Sequence, residues 1–181
     1  MSGKKTDNTL LYKIRFESNP DAFGELYDRY VKQIYRFVYF KVSNHEEAED
    51  LTSEVFLKAW NYLQEKKEVA SFRGLLYRIA RNAIIDLYRT RATRPEALSD
   101  EEMEVTDDNA WYQGITTTLE SEKIIAALKN LKQEYQEVIT LRYIDELEVS
   151  EIADIVGKGH ITVRVTLHRA LKKLKDILDE N

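Results

Sequence analysis

The chain has 181 residues and no cysteine. A disulfide framework and a thiolate zinc site are thereby excluded, and nothing in the composition points to an oxidising compartment, so a cytosolic protein is expected. Proline occurs twice and glycine six times. All-β architecture needs frequent turn signals and a phosphate-cradling loop needs clustered glycines, so both are excluded. No apolar run reaches the roughly 20 residues that cross a bilayer, and the start, MSGKKTDNTLLYK, has no apolar stretch before a cleavage site. A soluble chain is expected. The three histidines, His45, His160 and His168, lack acid or thiol partners at ligand spacing, and the last two stand two helical turns apart. No metal, no cofactor and no catalytic set is expected, and the chain does not read as an enzyme.

What is present is charge, 33% of residues, unevenly distributed around a net of -5. Between Lys66 and Arg94 stand Lys66, Lys67, Arg73, Arg78, Arg81, Arg89, Arg91 and Arg94 against only Glu68 and Asp86. From Pro95 to Glu122 there is no Lys or Arg, while Glu96, Asp100, Glu101, Glu102, Glu104, Asp107, Asp108, Glu120 and Glu122 accumulate. Cations return from Gly157 to Lys175 with no acid among them. Two basic segments flank an acidic one, and such clustering says more about partners than the sum does.

Asn19-Pro20 is the first strong helix start, a cap followed by a proline that has no N–H to lose. Phe23, Leu26, Tyr27, Tyr30, Val31, Ile34, Phe37 and Val38 then recur at three- and four-residue spacing as one apolar stripe. Asn44 with Glu47 restarts a helix in the manner of a capping box. Its buried stripe is Ala48, Leu51, Val55, Ala59 and Tyr62, with Phe56 and Trp60 on a flank. A third helix over about 71–91 buries Phe72, Leu76, Ile79, Ala80, Ala83 and Leu87. From Thr93 to Thr117 the period is lost, which is long for a connection inside one domain. Helix resumes near Leu119 and runs through Leu141, a short helix covers about 150–156, and Gly157-Lys158-Gly159 leads into a last helix over about 160–178. The spacing predicts an all-α chain: one small helical domain over 1–92, an acidic flexible linker over 93–117, and a second over 118–181 that is a helix-turn-helix.

On the last helix Val163, Leu167, Ala170, Leu171, Leu174, Ile177 and Leu178 share one side at 100° per residue. Ile161, Val165, His168, Arg169 and Lys172 share the other, flanked by Thr162, Arg164, Thr166 and Lys173. Such a face suits a major groove: Arg bridges guanine O6 and N7, Lys and Thr hold phosphates, and Val touches thymine methyl groups. Cations near a helix C-terminus are also favoured by the dipole alone, and Lys172, Lys173 and Lys175 fit that reading as well. The third helix carries Arg78, Arg81, Asn82, Ile85 and Arg89 opposite its buried stripe, with Tyr77 and Tyr88 at the border. Arg beside Tyr suits a single strand, whose bases stack on rings while cations hold the backbone. The polar stretch 64–71 at the mouth of this face could pocket an extruded base.

AEDLTSEVFLKAW (48–60) followed by SFRGLLYRIARNAIIDLYR (71–89) resembles the second conserved region of the extracytoplasmic-function (ECF) sigma factors of bacterial RNA polymerase. LKNLKQEYQEVITLRYIDELEVSEIADIVGKGHITVRVTLHRALKKL (128–174) resembles their fourth region. The resemblance covers nearly everything after about residue 10, in the right order. It implies that the first domain docks on the clamp helices of the largest polymerase subunit and opens the minus-ten promoter element. The second would read the minus-thirty-five element and touch the flap of the second-largest subunit. By this likeness Asp50, Leu51, Glu54 and Phe56 bind core polymerase. Lys66, Lys67, Arg73, Tyr77, Arg78, Arg81, Asn82 and Arg89 meet the minus-ten DNA. Thr162, Arg164, Val165, Thr166, His168, Arg169 and Lys172 meet the minus-thirty-five DNA. Ser53 stands where the family usually has Gln, Leu75 where it has Trp, and Lys66 where it often has an aromatic. Ile161, Val165 and Thr166 replace the common Gly, Ser or Lys, and Arg, so the promoter sequence read does not carry over from the family. An anti-sigma factor is a further implied partner. The alternative is a stand-alone helix-turn-helix regulator that binds duplex DNA without polymerase.

Overall fold

The computed structural model describes residues 6–65, 68–93 and 119–179, and the chain divides into two compact units, Met1–Asp100 and Glu101–Asn181. All regular elements among the described residues are helices, as expected of an all-α chain. None of these helices is long and apolar enough to cross a membrane. The linker expected over 93–117 lies outside the described residues except for Thr93, which ends a helix, and Glu120 and Glu122 of the acidic stretch fall in a helix that begins at Leu119.

The first unit contains α1 (Asp7–Glu17), α2 (Pro20–Val42), α3 (His45–Gln64) and α4 (Phe72–Thr93). Helix α1 precedes the first strong start signal at Asn19-Pro20 and is additional to the helices expected from spacing. Its cap is Thr6, whose hydroxyl accepts from the Thr9 N–H, and it buries Leu10, Leu11 and Ile14. Ser18 turns into the left-handed region, and Asn19 then caps α2 by accepting from the Ala22 N–H at 3.0 Å. Asn44 caps α3 through the Glu47 N–H at 3.0 Å, as its spacing predicts. Ser71 caps α4 through the Gly74 N–H at 3.1 Å.

Leu26, Ile34, Phe37, Val38, Val55, Ala59, Leu63, Phe72, Leu76, Tyr77 and Ala80 are buried where α2, α3 and α4 meet. Each fully buried side chain of this size contributes about 1.5–3 kcal/mol. Of the residues expected to be buried in α3 and α4, Tyr62, Ile79 and Leu87 are only half-buried, and on the α2 stripe Phe23, Tyr30 and Val31 are half-buried and Tyr27 is 40% exposed. Leu75 and Ile84 are buried in α4 and shift its apolar stripe round the helix.

The second unit contains α5 (Leu119–Lys129), α6 (Gln133–Ile139), a π-helical turn over Thr140–Ile144, α7 (Val149–Val156) and α8 (His160–Asp179). The single helix expected from Leu119 to Leu141 is interrupted at 130–132, where the Gln136 amide donates to the Lys129 and Leu131 carbonyls. Glu148 and Glu151 form a capping box at α7, with the Glu151 carboxylate accepting from the Glu148 N–H at 2.9 Å. Gly157 ends α7 at φ 69°, a conformation that favours glycine, and the chain re-enters helix three residues later. Ile152, Ala153, Ile155 and Val156 of α7 are buried, as are Val163, Leu167 and Ala170 of α8. Leu171 was expected inside and is 38% exposed. Leu174, Ile177 and Leu178, in the last turns of α8, are half-buried, and α5, α6 and α7 all pack against this helix.

Candidate nucleic-acid interface

Each unit presents one cationic helix face, and the first presents an acidic one as well. On α8 the exposed residues are those the 100° periodicity sets opposite Val163 and Ala170. Ile161 (77% exposed), Val165 (43%), His168 and Lys172 run along the centre, with Arg164 on one side and Thr162 and Arg169 on the other. An exposed isoleucine and valine stand among cations on a helix set beyond a glycine turn, so apolar and cationic contacts are offered side by side on one face. Lys158, in the turn, is held by an ion pair with Glu134 of α6. Arg142 donates to the Leu147 carbonyl at 2.8 Å and lies 3.3 Å from the Glu148 carboxylate, which steadies the approach to α7. Thr166 is corrected as a DNA contact: it is 8% exposed, and its hydroxyl donates to the Thr162 carbonyl at 2.9 Å. That bond satisfies the hydroxyl inside the unit and leaves it nothing to offer a phosphate.

On α4, Arg78, Asn82 and Arg89 are exposed and Arg81 and Ile85 half-buried, all on one line of the helix. Asp86 sits 3.6 Å from Arg89 as a solvated pair, which weakens with salt and leaves the guanidinium accessible. Two of the residues assigned to this face lie elsewhere. Tyr77 is fully buried, with its ring edge-on to Phe37 at 5.1 Å between centroids, so it cannot stack on a base. Arg73, five positions before Arg78 and so about 140° round the helix from it, is half-buried. Lys66 and Lys67 lie outside the described residues. Tyr88 is also tied down: its hydroxyl donates to the Lys41 carbonyl at 2.5 Å, and Arg91 lies 5.9 Å over its ring and pairs with Glu47. Burial pushes the Tyr88 phenol up, with Arg91 opposing and Glu47 assisting. The α4 face therefore offers cations and one amide, without an aromatic platform at Tyr77 or Tyr88.

Helix α3 carries the third face. Glu46, Asp50, Ser53, Glu54, Asn61 and Gln64 are exposed along it, and Leu57 sits among them at 61% exposure. Glu54 pairs with Lys58 at 2.5 Å, both about half exposed. Leu51 (8% exposed) and Phe56 (3%) are corrected as docking contacts. The Phe56 ring instead meets Tyr27 at 4.7 Å and Phe23 at 6.4 Å, holding α3 to α2. Leu57 was missed by the sequence reading. Its signal is an apolar residue about 180° from Ala48 and Val55, inside a polar stripe, which is where an interface anchor stands.

Residues 26–94 match the family model described as Sigma-70 region 2, and residues 121–174 match that described as Sigma-70, region 4. The chain is 31% identical over 163 residues to the ECF RNA polymerase sigma factor BldN of Streptomyces coelicolor, covering 89% of this chain and 62% of that protein. It is 32% identical over 170 residues to the ECF RNA polymerase sigma factor SigW of Bacillus subtilis, covering 88% of this chain and 90% of that protein. Among solved structures, CnrH in complex with the cytosolic domain of CnrY is similar at a TM-score of 0.72 and 26% identity, covering 97% of this chain and 98% of that chain.

Proposed function

From the premise that this chain belongs to the ECF sigma factors of RNA polymerase, we propose that its three helix faces divide promoter-specific transcription initiation among them. Polymerase capture belongs to α3, with Leu57 as apolar anchor and Asp50 and Glu54 as acids that meet a basic partner surface. The basic line Arg78, Arg81, Asn82 and Arg89 on α4 receives the minus-ten strand. An amide such as Asn82 reaches a Watson–Crick edge only after the base has left its partner, so this face acts on DNA that is opening. The face of α8 from Ile161 to Lys172 reads the minus-thirty-five duplex, since a helix fits the major groove only while the groove exists.

The observation that supports this best is the exposed Ile161–Val165–His168 line between Arg164 and Arg169, directly after the Gly157 turn. The stand-alone regulator gains no support, because the first unit matches sigma region 2. The chain would work in the cytoplasm alongside the polymerase, binding and melting DNA while bond formation remains with the polymerase. An anti-sigma protein is a further proposed partner, as membership in this family implies.

The test is run-off transcription from genomic fragments by core polymerase with and without the chain, together with co-elution of Glu54→Lys and Leu57→Ala variants with core. Specific transcripts should require the chain. Both variants should co-elute less, and undiminished co-elution of both would remove the α3 assignment.

A further inference from the structure

Helix α1 lies outside the residues that match sigma region 2, yet its first residue is bonded to α2 at a half-buried site. The Asp7 carboxylate accepts from Arg29 at 2.7 Å through one oxygen and from the Tyr30 hydroxyl through the other. Two neighbouring residues of α2 are thus tied to one acid. The Tyr30 ring meets Phe72 edge-on, centroids 5.8 Å apart, and Phe72 is the first residue of α4 and 1% exposed. Arg73, the next residue, is close enough for its charge to act on the Tyr30 hydroxyl. Burial, then the bond to Asp7, pushes that phenol well above its ordinary value, so the proton stays on Tyr30 throughout the physiological range. One chain of contacts therefore runs from Asp7 through Tyr30 to the first turn of α4, which begins where segment 68–71 ends.

We propose that Asp7 and Tyr30 are positioning residues for the minus-ten interface, setting the start of α4 and with it the segment before it and the Arg78–Asn82 face. The proposal rests on the assignment of that face to the minus-ten strand. With the hydroxyl bond in place, Tyr30 is held at its hydroxyl by Asp7 and braces Phe72 from one side with its ring. Without it the ring gains freedom, Phe72 loses a fixed neighbour, and the α4 face must be ordered when the strand arrives. Ordering then draws on the free energy of binding. The anchor of α3 at Leu57 and the face of α8 are not part of this chain of contacts.

The experiment uses holoenzyme assembled with the full chain and a fluorescent single strand carrying the non-template minus-ten sequence of a promoter found by run-off transcription. Tyr30→Phe keeps the ring and removes the bond, and Asp7→Ala removes the acceptor. Asp7→Asn keeps an oxygen that can still accept, and Asn82→Ala removes the direct contact. Tyr30→Phe and Asp7→Ala should weaken strand binding about three- to tenfold, a fraction of the loss expected for one hydrogen bond to a charged group, because the bond reaches the strand only through Phe72 and α4. Asp7→Asn should recover part of the loss, and co-elution with core polymerase should be unchanged throughout. Hydrogen exchange at the first α4 amides should quicken in the same order.

Wild-type strand binding by Tyr30→Phe, with Asn82→Ala weakened, overturns the positioning role and leaves the interface intact. Wild-type binding by both overturns the interface itself. Equal loss of strand binding and core binding in Tyr30→Phe overturns the proposal in favour of plain structural support.

Discussion

Replacing Gly157 tests whether the turn between α7 and α8 is held by backbone conformation alone. Gly157 adopts φ 69° and ψ 36°, and a Cβ built there would meet nothing within 4 Å. Steric contact with neighbours therefore contributes nothing, and the whole effect of Gly157→Ala is the left-handed backbone, about 1–2 kcal/mol. Asparagine tolerates that region better, so Gly157→Asn should lose roughly half as much. A unit of this size has roughly 3–5 kcal/mol to lose, so both variants remain mostly folded. Hydrogen exchange at α7 and α8 amides reads the difference directly: protection should fall about five- to thirtyfold for Ala and distinctly less for Asn. Exchange in α2 and α3, in the other unit, should not change. Equal losses for the two variants, or none for Ala, would refute the claim that the turn is a left-handed glycine site.

Two further predictions concern the first unit. Tyr77→Phe should leave promoter opening unchanged while Tyr77→Ala loses about 3–5 kcal/mol in a denaturation experiment, because the ring is core and not a base platform. A loss of opening with intact stability in Tyr77→Phe would contradict its burial. Alkali should unfold this unit early, since burial raises the phenols of Tyr30, Tyr35, Tyr39 and Tyr88 above the ordinary 10.0. Asp7 adds to the rise at Tyr30, and Glu49 and Tyr39 add to that at Tyr35. Groups with raised values hold more protons in the folded state, so their stabilisation is complete below about pH 10 and is lost as the pH climbs past it. Tryptophan fluorescence and circular dichroism between pH 8 and 12 should show stability falling above about pH 10, less steeply in Tyr30→Phe. Flat stability across that range would remove the tyrosine contribution.

How far the sequence is legible follows from what periodicity can and cannot resolve. The caps at Asn19 and Asn44, the α7–Gly157–α8 turn and the outward face of α8 are local features, and each is where its spacing predicts. Helix α1 is less legible because its buried stripe is only Leu10, Leu11 and Ile14 and its hold on the unit is the long-range Asp7–Arg29–Tyr30 contact. Tyr77 stands at the border of a helical wheel, where only the position of Phe37 on another helix decides between core and surface. Thr166 is hidden because its hydroxyl found a carbonyl one turn back, a choice composition does not reveal. Phe56 and Leu57 adjoin in sequence and point apart, one to Tyr27 and one to solvent, so a family motif that names the helix does not by itself name the contact. Helix α8 has the expected extent, but Leu171 is 38% exposed while Leu174, Ile177 and Leu178 beyond it are half-buried, so the side that packs is narrower than the apolar stripe.

The division of labour between the two DNA faces is tested most directly by initiation rates on one promoter in two forms, fully paired and premelted at the minus-ten element. Wild type, Asn82→Ala and Arg169→Ala are compared on both. Premelting removes the opening step, so Asn82→Ala should regain much of its activity on the premelted form. Arg169→Ala should stay impaired on both templates, by roughly 1–3 kcal/mol if its contact is bidentate to guanine. Rescue of Arg169→Ala by premelting, with Asn82→Ala left impaired, would reverse the roles of α4 and α8 and contradict the account.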